Sequence, residues 1–278
     1  MRNAVIQKLV EKARTDDRIF LLTADLGYGV LEPFINEFPR RFINVGVSEQ
    51  LMIGIAAGLA KEGMKPYCYS INNFISFRCL EQIRNDIAYP NLDVKLISLG
   101  AGMNYDNYGF THYGIEDKNV ISSLPNIKVF SPTFECELDN CLFEKNKPAY
   151  IRLAKGNKNF VRNRTEFEYG KSLIITESDL VFDIYKKLDC KKSYDVKLFE
   201  EEYFDDINEC DYENVYFIEE HTKSKIFSDE RTELEYKLRK EEIYHRYIEE
   251  DWINQGFSPD KRIQSDREWV VSKLLEGL

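Results

Sequence analysis

Phe42-Ile-Asn-Val-Gly-Val-Ser-Glu-Gln50, running on into Leu51-Met-Ile-Gly-Ile-Ala-Ala-Gly-Leu-Ala60, sets the architecture expected of this 278-residue chain. Its apolar opening reads as a short buried strand that stops at Gly46 and Val47. Ser48 then stands as the N-cap of a helix whose first turn carries Glu49. A carboxylate is thereby held on rigid backbone at the carboxyl end of a strand. The helix behind it, 49–62, is rich in small residues (Gly54, Ala56, Ala57, Gly58, Ala60), so another element can approach its backbone closely, which predicts an interface. Taken alone, Glu49 reads first as the ordinary acidic residue that complements a helix dipole, and its surroundings change that reading.

Outward from this stretch the same grammar repeats. Apolar runs recur at 19–24, 66–71, 94–99, 127–130 and 149–153, and helical stretches are expected at 3–14, 74–89 and 133–145. Buried strands alternating with helices predict an α/β fold, a parallel sheet covered on both faces. Ligands of such sheets lie beyond the carboxyl ends of the strands. The segments to watch are therefore Asp25 to Gly29, Ser48-Glu49-Gln50, Asn72-Asn73-Phe74 and the long loop Gly100 to Asp117, which holds His112 between aromatic neighbours.

The polar, basic stretch 156–171 has little periodicity and is read as a linker between a domain at 1–155 and a smaller α/β domain at 172–278. In the second domain strands are expected at 172–176, 194–199 and 215–218, with helices near 178–188, 231–250 and 266–276.

Composition narrows the function classes. The net charge is −10, and residues 1–150 hold 16 Lys and Arg against 18 Asp and Glu, so most of the negative charge lies in the second half. General binding of nucleic acid is not expected of such a chain. The longest apolar run, Leu51 to Ala60, is too short to span a bilayer, and residues 1–14 do not form a signal sequence, so a soluble cytoplasmic protein is expected. Six cysteines, at 68, 79, 136, 141, 190 and 210, include no Cys-x-x-Cys pair, and the three histidines stand at no metal-ligand spacing. The cysteines read mostly as reduced thiols that fill core space.

Five blocks in order resemble the pyrimidine-binding domain of transketolase-type, thiamine-diphosphate-dependent enzymes. They are Asn44-Val-Gly-Val-Ser-Glu-Gln50, Phe74-x-x-x-Arg78-x-x-Glu-Gln-Ile-Arg84, Gly109-x-Thr-His-x-x-Ile-Glu-Asp117, Pro125-Asn-Ile and Tyr150-Ile-Arg152. The second domain resembles the family's C-terminal domain more faintly, through Val215-Tyr-Phe-Ile-Glu-Glu-His221.

The resemblance implies roles. The glutamate matching Glu49 would hydrogen-bond the pyrimidine ring nitrogen of the cofactor and favour the imino form that takes a proton from the thiazolium carbon. Such a carboxyl must be able to hold a proton, which burial favours and a helix N-terminus opposes; burial is expected to dominate. Phe74 and Phe77 would pack against the pyrimidine, near Ile71, although core packing at helix spacing explains both aromatics equally. His112 would lie over the reacting carbon, binding substrate or moving protons; in isolation it reads just as well as a hydrogen-bonded loop residue. Tyr108 would face the substrate. Arg152 matches an arginine that binds substrate phosphate, or else makes a surface ion pair. Asp25 stands before the first active-site loop, or caps that turn.

The resemblance also implies what must come from elsewhere. The family's diphosphate-binding domain, with its Gly-Asp-Gly segment and downstream Asn that hold Mg²⁺ and the diphosphate, has no counterpart in these residues. A separate N-terminal subunit is expected to carry it, in an α2β2 assembly with sites between subunits. Several positions depart from the phosphosugar pattern: Asn107-Tyr108 replace an acidic pair, Asp106 a glycine, Gly29 a phosphate-binding serine, Gly100 a histidine and Ile71 an aromatic. Ketol transfer in specialised sugar metabolism is the expectation. Its alternatives are a beta subunit of a 2-oxoacid dehydrogenase or decarboxylating synthase, and a non-catalytic scaffold subunit.

Overall fold

The computed structural model describes residues 1–105, 108–144, 147–154, 172–176, 184, 194–198, 214–222, 243–248 and 272–276. The chain divides into two units, Met1–Gly156 and Asn157–Leu278.

Six strands of the first unit form one all-parallel sheet. They are β1 (Ile19–Thr23), β2 (Phe42–Asn44), β3 (Lys65–Ile71), β4 (Lys95–Leu99), β5 (Lys128–Phe130) and β6 (Ala149–Leu153), in the order β2-β1-β3-β4-β6-β5. β4 and β6 are buried at every residue, as continuous apolar runs in a doubly covered sheet should be. On one face Leu21, Tyr67, Tyr69, Ile97, Leu99, Ile151 and Leu153 pack under the helix α1 (Arg2–Ala13), through Val5, Ile6 and Leu9. The other face meets Met52, Ile53, Ala56 and Ala57 of the helix α3 (Glu49–Lys61). Each fully buried aliphatic side chain in these layers contributes about 1.5–3 kcal/mol.

Some expected elements are shorter or broken. β2 ends at Asn44, before Gly46, because the Asn44 side-chain oxygen accepts N–H bonds from both Asp25 (2.9 Å) and Gly46 (3.0 Å), and Gly46 turns away with φ +71°. Ser48 occupies the N-cap position, but its side chain makes no cap bond. The helix expected over 74–89 is three pieces: α4 (Asn72–Ile75), α5 (Leu80–Gln82) and a π-helical turn, Ile83–Ala88. The break has a local cause. The Asn72 carbonyl accepts both the N–H (2.9 Å) and the hydroxyl (2.7 Å) of Ser76, and the Arg78 N–H reaches back five residues to Asn73 at 3.3 Å.

The helix expected over 133–145 is a 3₁₀ turn, Glu135–Glu137, and then α7 (Leu138–Leu142); the Glu137 carboxylate accepts the N–H groups of Thr133 and Phe134. Two short helices were not anticipated, α2 (Glu32–Glu37) and α6 (Asp117–Ser122).

In the second unit β7 (Ser172–Thr176), β8 (Tyr194–Leu198), β9 (Asn214–Thr222) and β10 (Ile243–Ile248) form a parallel sheet, ordered β10-β9-β7-β8. The helix expected over 231–250 is corrected at 243–248. Ile243-Tyr-His-Arg-Tyr-Ile248, rich in β-branched and aromatic residues, is a strand paired with β9. The linker at 156–171, most of the helices expected near 178–188 and 266–276, and the rest of 231–250 lie outside the described residues.

Candidate active site

The carboxyl ends of β1, β2, β3 and β4 deliver four short segments to one end of the sheet, and the expected site residues other than Arg152, which lies in β6, are on or next to them. Glu49 opens α3 on its buried face, in line with Met52, Ile53 and Ala56, and is 2% exposed. It does not simply face solvent across a helix dipole. Its Oε2 accepts a hydrogen bond from Arg78 Nη1 at 2.5 Å. The Arg78 guanidinium lies over the Phe74 ring, 4.4 Å from its centroid, and the Arg78 carbonyl accepts Gln50 Nε2 at 3.0 Å. The five-residue return at Arg78 is what folds this side chain back over Phe74 rather than onward along a helix.

His112 meets Phe74 edge to face, with ring centroids 5.3 Å apart. Tyr108 (5.0 Å) and Tyr105 (5.8 Å) complete an aromatic surround, and Thr111 Oγ1 is 2.9 Å from His112 Nδ1. Tyr108 is 68% exposed, so it stands at the mouth of this group.

The loop that carries His112 is anchored at both ends. Gly102 and Gly114 exchange reciprocal backbone bonds of 2.7 and 2.8 Å. Asn73 Nδ2 donates to the Phe110 carbonyl (3.1 Å), and Asn72 Nδ2 to Asp117 Oδ2 (2.8 Å). One junction after β3 therefore positions both Phe74 and the histidine loop. Gly100, at φ +86°, lies directly under the Tyr105 ring, where any Cβ would collide with it.

Arg152 departs from expectation. It is 2% exposed, and its guanidinium grips Asp117 at two points (Nε–Oδ2 2.8 Å, Nη2–Oδ1 3.1 Å) while also donating to the Gly114 carbonyl and Ser131 Oγ. It is neither a displayed phosphate ligand nor a surface ion pair: the strand end that carries it is roofed by the loop it holds. Tyr150 OH donates to the same Asp117 oxygen at 2.9 Å. Burial alone would push the Asp117 carboxyl up, yet the Arg152 charge and the bonds from Arg152, Asn72 and Tyr150 hold it below its ordinary value. Burial, and next the Asp117 charge, push the Tyr150 phenol well up.

Asp25, at φ +55°, accepts a 2.5 Å bond from the exposed Tyr28 hydroxyl; that bond and the one from Asn44 lower its carboxyl, and the bond to Asp25 and its charge raise the Tyr28 phenol. Ile71 ends β3 beside Leu99. Phe77 is 37% exposed and takes no part in the ring contacts that join Phe74 to His112.

The structure thus brings together Glu49, Phe74, His112 and Tyr108. Asp25 lies on a neighbouring strand end, and Arg152 sits behind the loop. Sequence reasoning passed over Arg78, which appeared only as a motif letter, and Asp117 and Asn72, whose roles depend on partners distant in sequence. The group suits a planar ring bearing a hydrogen-bond donor, because the planar, donor-bearing guanidinium of Arg78 is already accommodated over Phe74 and against Glu49. Among the described residues no three or more His, Cys, Asp or Glu side chains could together hold a metal ion, and no helix is long and apolar enough to cross a membrane.

The family model described as the pyrimidine-binding domain of transketolase matches residues 1–159. A putative transketolase C-terminal section of Methanocaldococcus jannaschii is 35% identical over 186 residues, covering 64% of this chain and 59% of that protein. A 6-deoxy-6-sulfo-D-fructose transketolase subunit of Clostridium sp. strain MSTE9 is 33% identical over 182 residues, covering 64% and 56%. Both alignments span less than two thirds of the relative's own length. A split-gene transketolase, solved as an inactive beta4 tetramer, superposes with a TM-score of 0.71 at 24% identity, over 99% of this chain and 97% of that one.

Proposed function

Because the chain belongs to the family of transketolase pyrimidine-binding domains, we propose that it is one subunit of a split, cytoplasmic, thiamine-diphosphate-dependent transketolase that moves a two-carbon ketol unit between sugars. The observation that carries this reading is a 2%-exposed carboxylate, Glu49, linked through Arg78 to the Phe74 ring, which in turn meets His112, at the carboxyl end of a parallel sheet. The relative named as a 6-deoxy-6-sulfo-D-fructose transketolase subunit supports specialised sugar metabolism as the setting.

In this reading thiamine diphosphate, when bound, supplies the carbon nucleophile that breaks and makes the bond beside the carbonyl. The Glu49 carboxyl hydrogen-bonds the pyrimidine nitrogen, and Phe74 gives that ring a face. Ile71 and Phe77 flank it. His112, with Nδ1 engaged by Thr111, presents Nε2 to the sugar hydroxyls. Asp25 and Tyr108 bound the sugar, whereas Arg152 acts only by holding the loop.

Mg²⁺ and the diphosphate fall to a partner subunit carrying the Gly-Asp-Gly domain, in an α2β2 assembly. The outward side of α3 supports a subunit contact: Leu51 is 53% exposed, the adjoining Val47 is 76% exposed, and Gly54 and Gly58 have open space above their backbone.

The test is co-purification with the polypeptide encoded beside this one, then calorimetric titration with thiamine diphosphate and Mg²⁺ and assays with ketose donors. Binding by the pair, and turnover abolished by Glu49→Ala without loss of assembly, is the expected result. Normal turnover by Glu49→Ala would overturn the assignment. Turnover of pyruvate in place of ketoses would move it to a decarboxylating 2-oxoacid synthase.

A further inference from the structure

Arg78 places a flat, donor-bearing group where a flat, donor-bearing ring is called for. We propose that the Arg78 guanidinium occupies the place of the cofactor's aminopyrimidine ring in the chain by itself, and vacates it when that ring enters. The inference rests on the reading above, that Glu49 and Phe74 receive this ring.

Two contacts carry it. The guanidinium donates to Glu49 Oε2 at 2.5 Å and covers Phe74 at 4.4 Å from the centroid. An aminopyrimidine bound by the same carboxylate and stacked on the same ring would use both. The face of one phenyl ring does not admit two stacked planes at that distance, so the ring and the guanidinium exclude one another.

Arg78 is also built to leave. Its backbone is pinned, the N–H to the Asn73 carbonyl and the carbonyl to Gln50 Nε2, while its side chain is 43% exposed. The head can swing into water with the backbone in place, as long stems allow. Glu49, at 2% exposure, does not tolerate the loss without a replacement: removing one partner of a buried charge leaves the other uncompensated. Departure is therefore coupled to arrival of the incoming ring, whose nitrogen, protonated from solvent, donates to Glu49 in place of Arg78, and the isolated chain takes that ring weakly.

The test measures binding of 4-amino-5-hydroxymethyl-2-methylpyrimidine to the full chain by saturation-transfer NMR. Arg78→Ala is expected to bind it at least tenfold more tightly than the unaltered chain, Arg78→Lys to fall between them, and Arg78→Ala/Glu49→Gln to lose the gain. Because Arg78→Ala leaves Glu49 buried without its partner, the thermal midpoint of the free variant is expected to fall and to recover when the pyrimidine is added. If that variant unfolds, the same ranking is read from Arg78→Lys. No gain in either variant overturns the proposal. Titration of the reconstituted pair with thiamine diphosphate separates the two readings: binding there without any gain in the variants defeats the placeholder alone, and binding nowhere defeats the cofactor assignment with it.

Discussion

Arg152 and Asp117 are joined by two hydrogen bonds, 2.8 and 3.1 Å, at 2% and 0% side-chain exposure. Their sequence separation is 35 residues, and the pair fastens the start of α6, and with it the loop bearing His112, to the end of β6. It is a positioning device within the candidate site.

Removal of one partner leaves the other charged and buried. Arg152→Met is expected to lower the unfolding free energy by about 3–5 kcal/mol. Arg152→Met/Asp117→Leu should recover more than half of that loss, since no unpaired charge then remains. Urea unfolding of the three variants measures the difference, and a double variant no better than the single one would deny that the cost is electrostatic.

The same pair makes stability depend on pH in a known direction. The folded-state value of Asp117 lies below its unfolded value, about 3.9, so the unfolded chain takes up the proton first. The contribution of the pair is whole above about pH 4 and is lost as the pH falls from there toward the folded value. Asp16, lowered chiefly by its bond from Arg18 and also by Lys65, acts with the same sign. Urea midpoints between pH 6 and pH 3 should decline with acid, and Asp117→Asn should flatten part of the decline.

Two glycines are expected to be intolerant for different reasons. A Cβ on Gly114 would fall on the Asn72 amide, so Gly114→Ala should displace Asn72 from Asp117 and cost about 1–3 kcal/mol. A Cβ on Gly100 would fall on Tyr105 and also meets the penalty of φ +86°. Adding Tyr105→Ala to Gly100→Ala should remove the overlap and leave a backbone cost of about 1–3 kcal/mol. Thermal unfolding of the single and double variants separates the two.

Thiol chemistry reports the core. Cys68, Cys79 and Cys141 are buried and Cys136 is exposed. Burial pushes the Cys79 thiol up to about 12, and it pushes Cys68 up as well. Of these four, an alkylating reagent at pH 8, followed by mass spectrometry, should modify Cys136 first and reach Cys68 and Cys79 only when urea opens the fold. Rapid labelling of Cys79 in the folded chain would mean that the segment after Phe74 opens readily.

Local pattern determined the architecture. The alternation of apolar runs with helical stretches marked all six strands of the first sheet, and the Ser-Glu boundary put Glu49 at the start of a helix beyond a strand, because hydrophobic period and turn residues are short-range signals. The histidine loop was legible for the same reason, as a long polar interval between strands. Which charge meets which was settled by long-range packing. Nothing near Arg152 in sequence announces Asp117, and nothing local says that the turn after Phe74 brings Arg78 to Glu49. The helix expected over 74–89 broke at short-range bonds, Ser76 to the Asn72 carbonyl and Arg78 to the Asn73 carbonyl, and the run at 243–248, rich in β-branched and aromatic residues, pairs with β9 as a strand. Periodicity records the face a residue turns to its own element, whereas pairing across an interior depends on the packing of elements far apart along the chain.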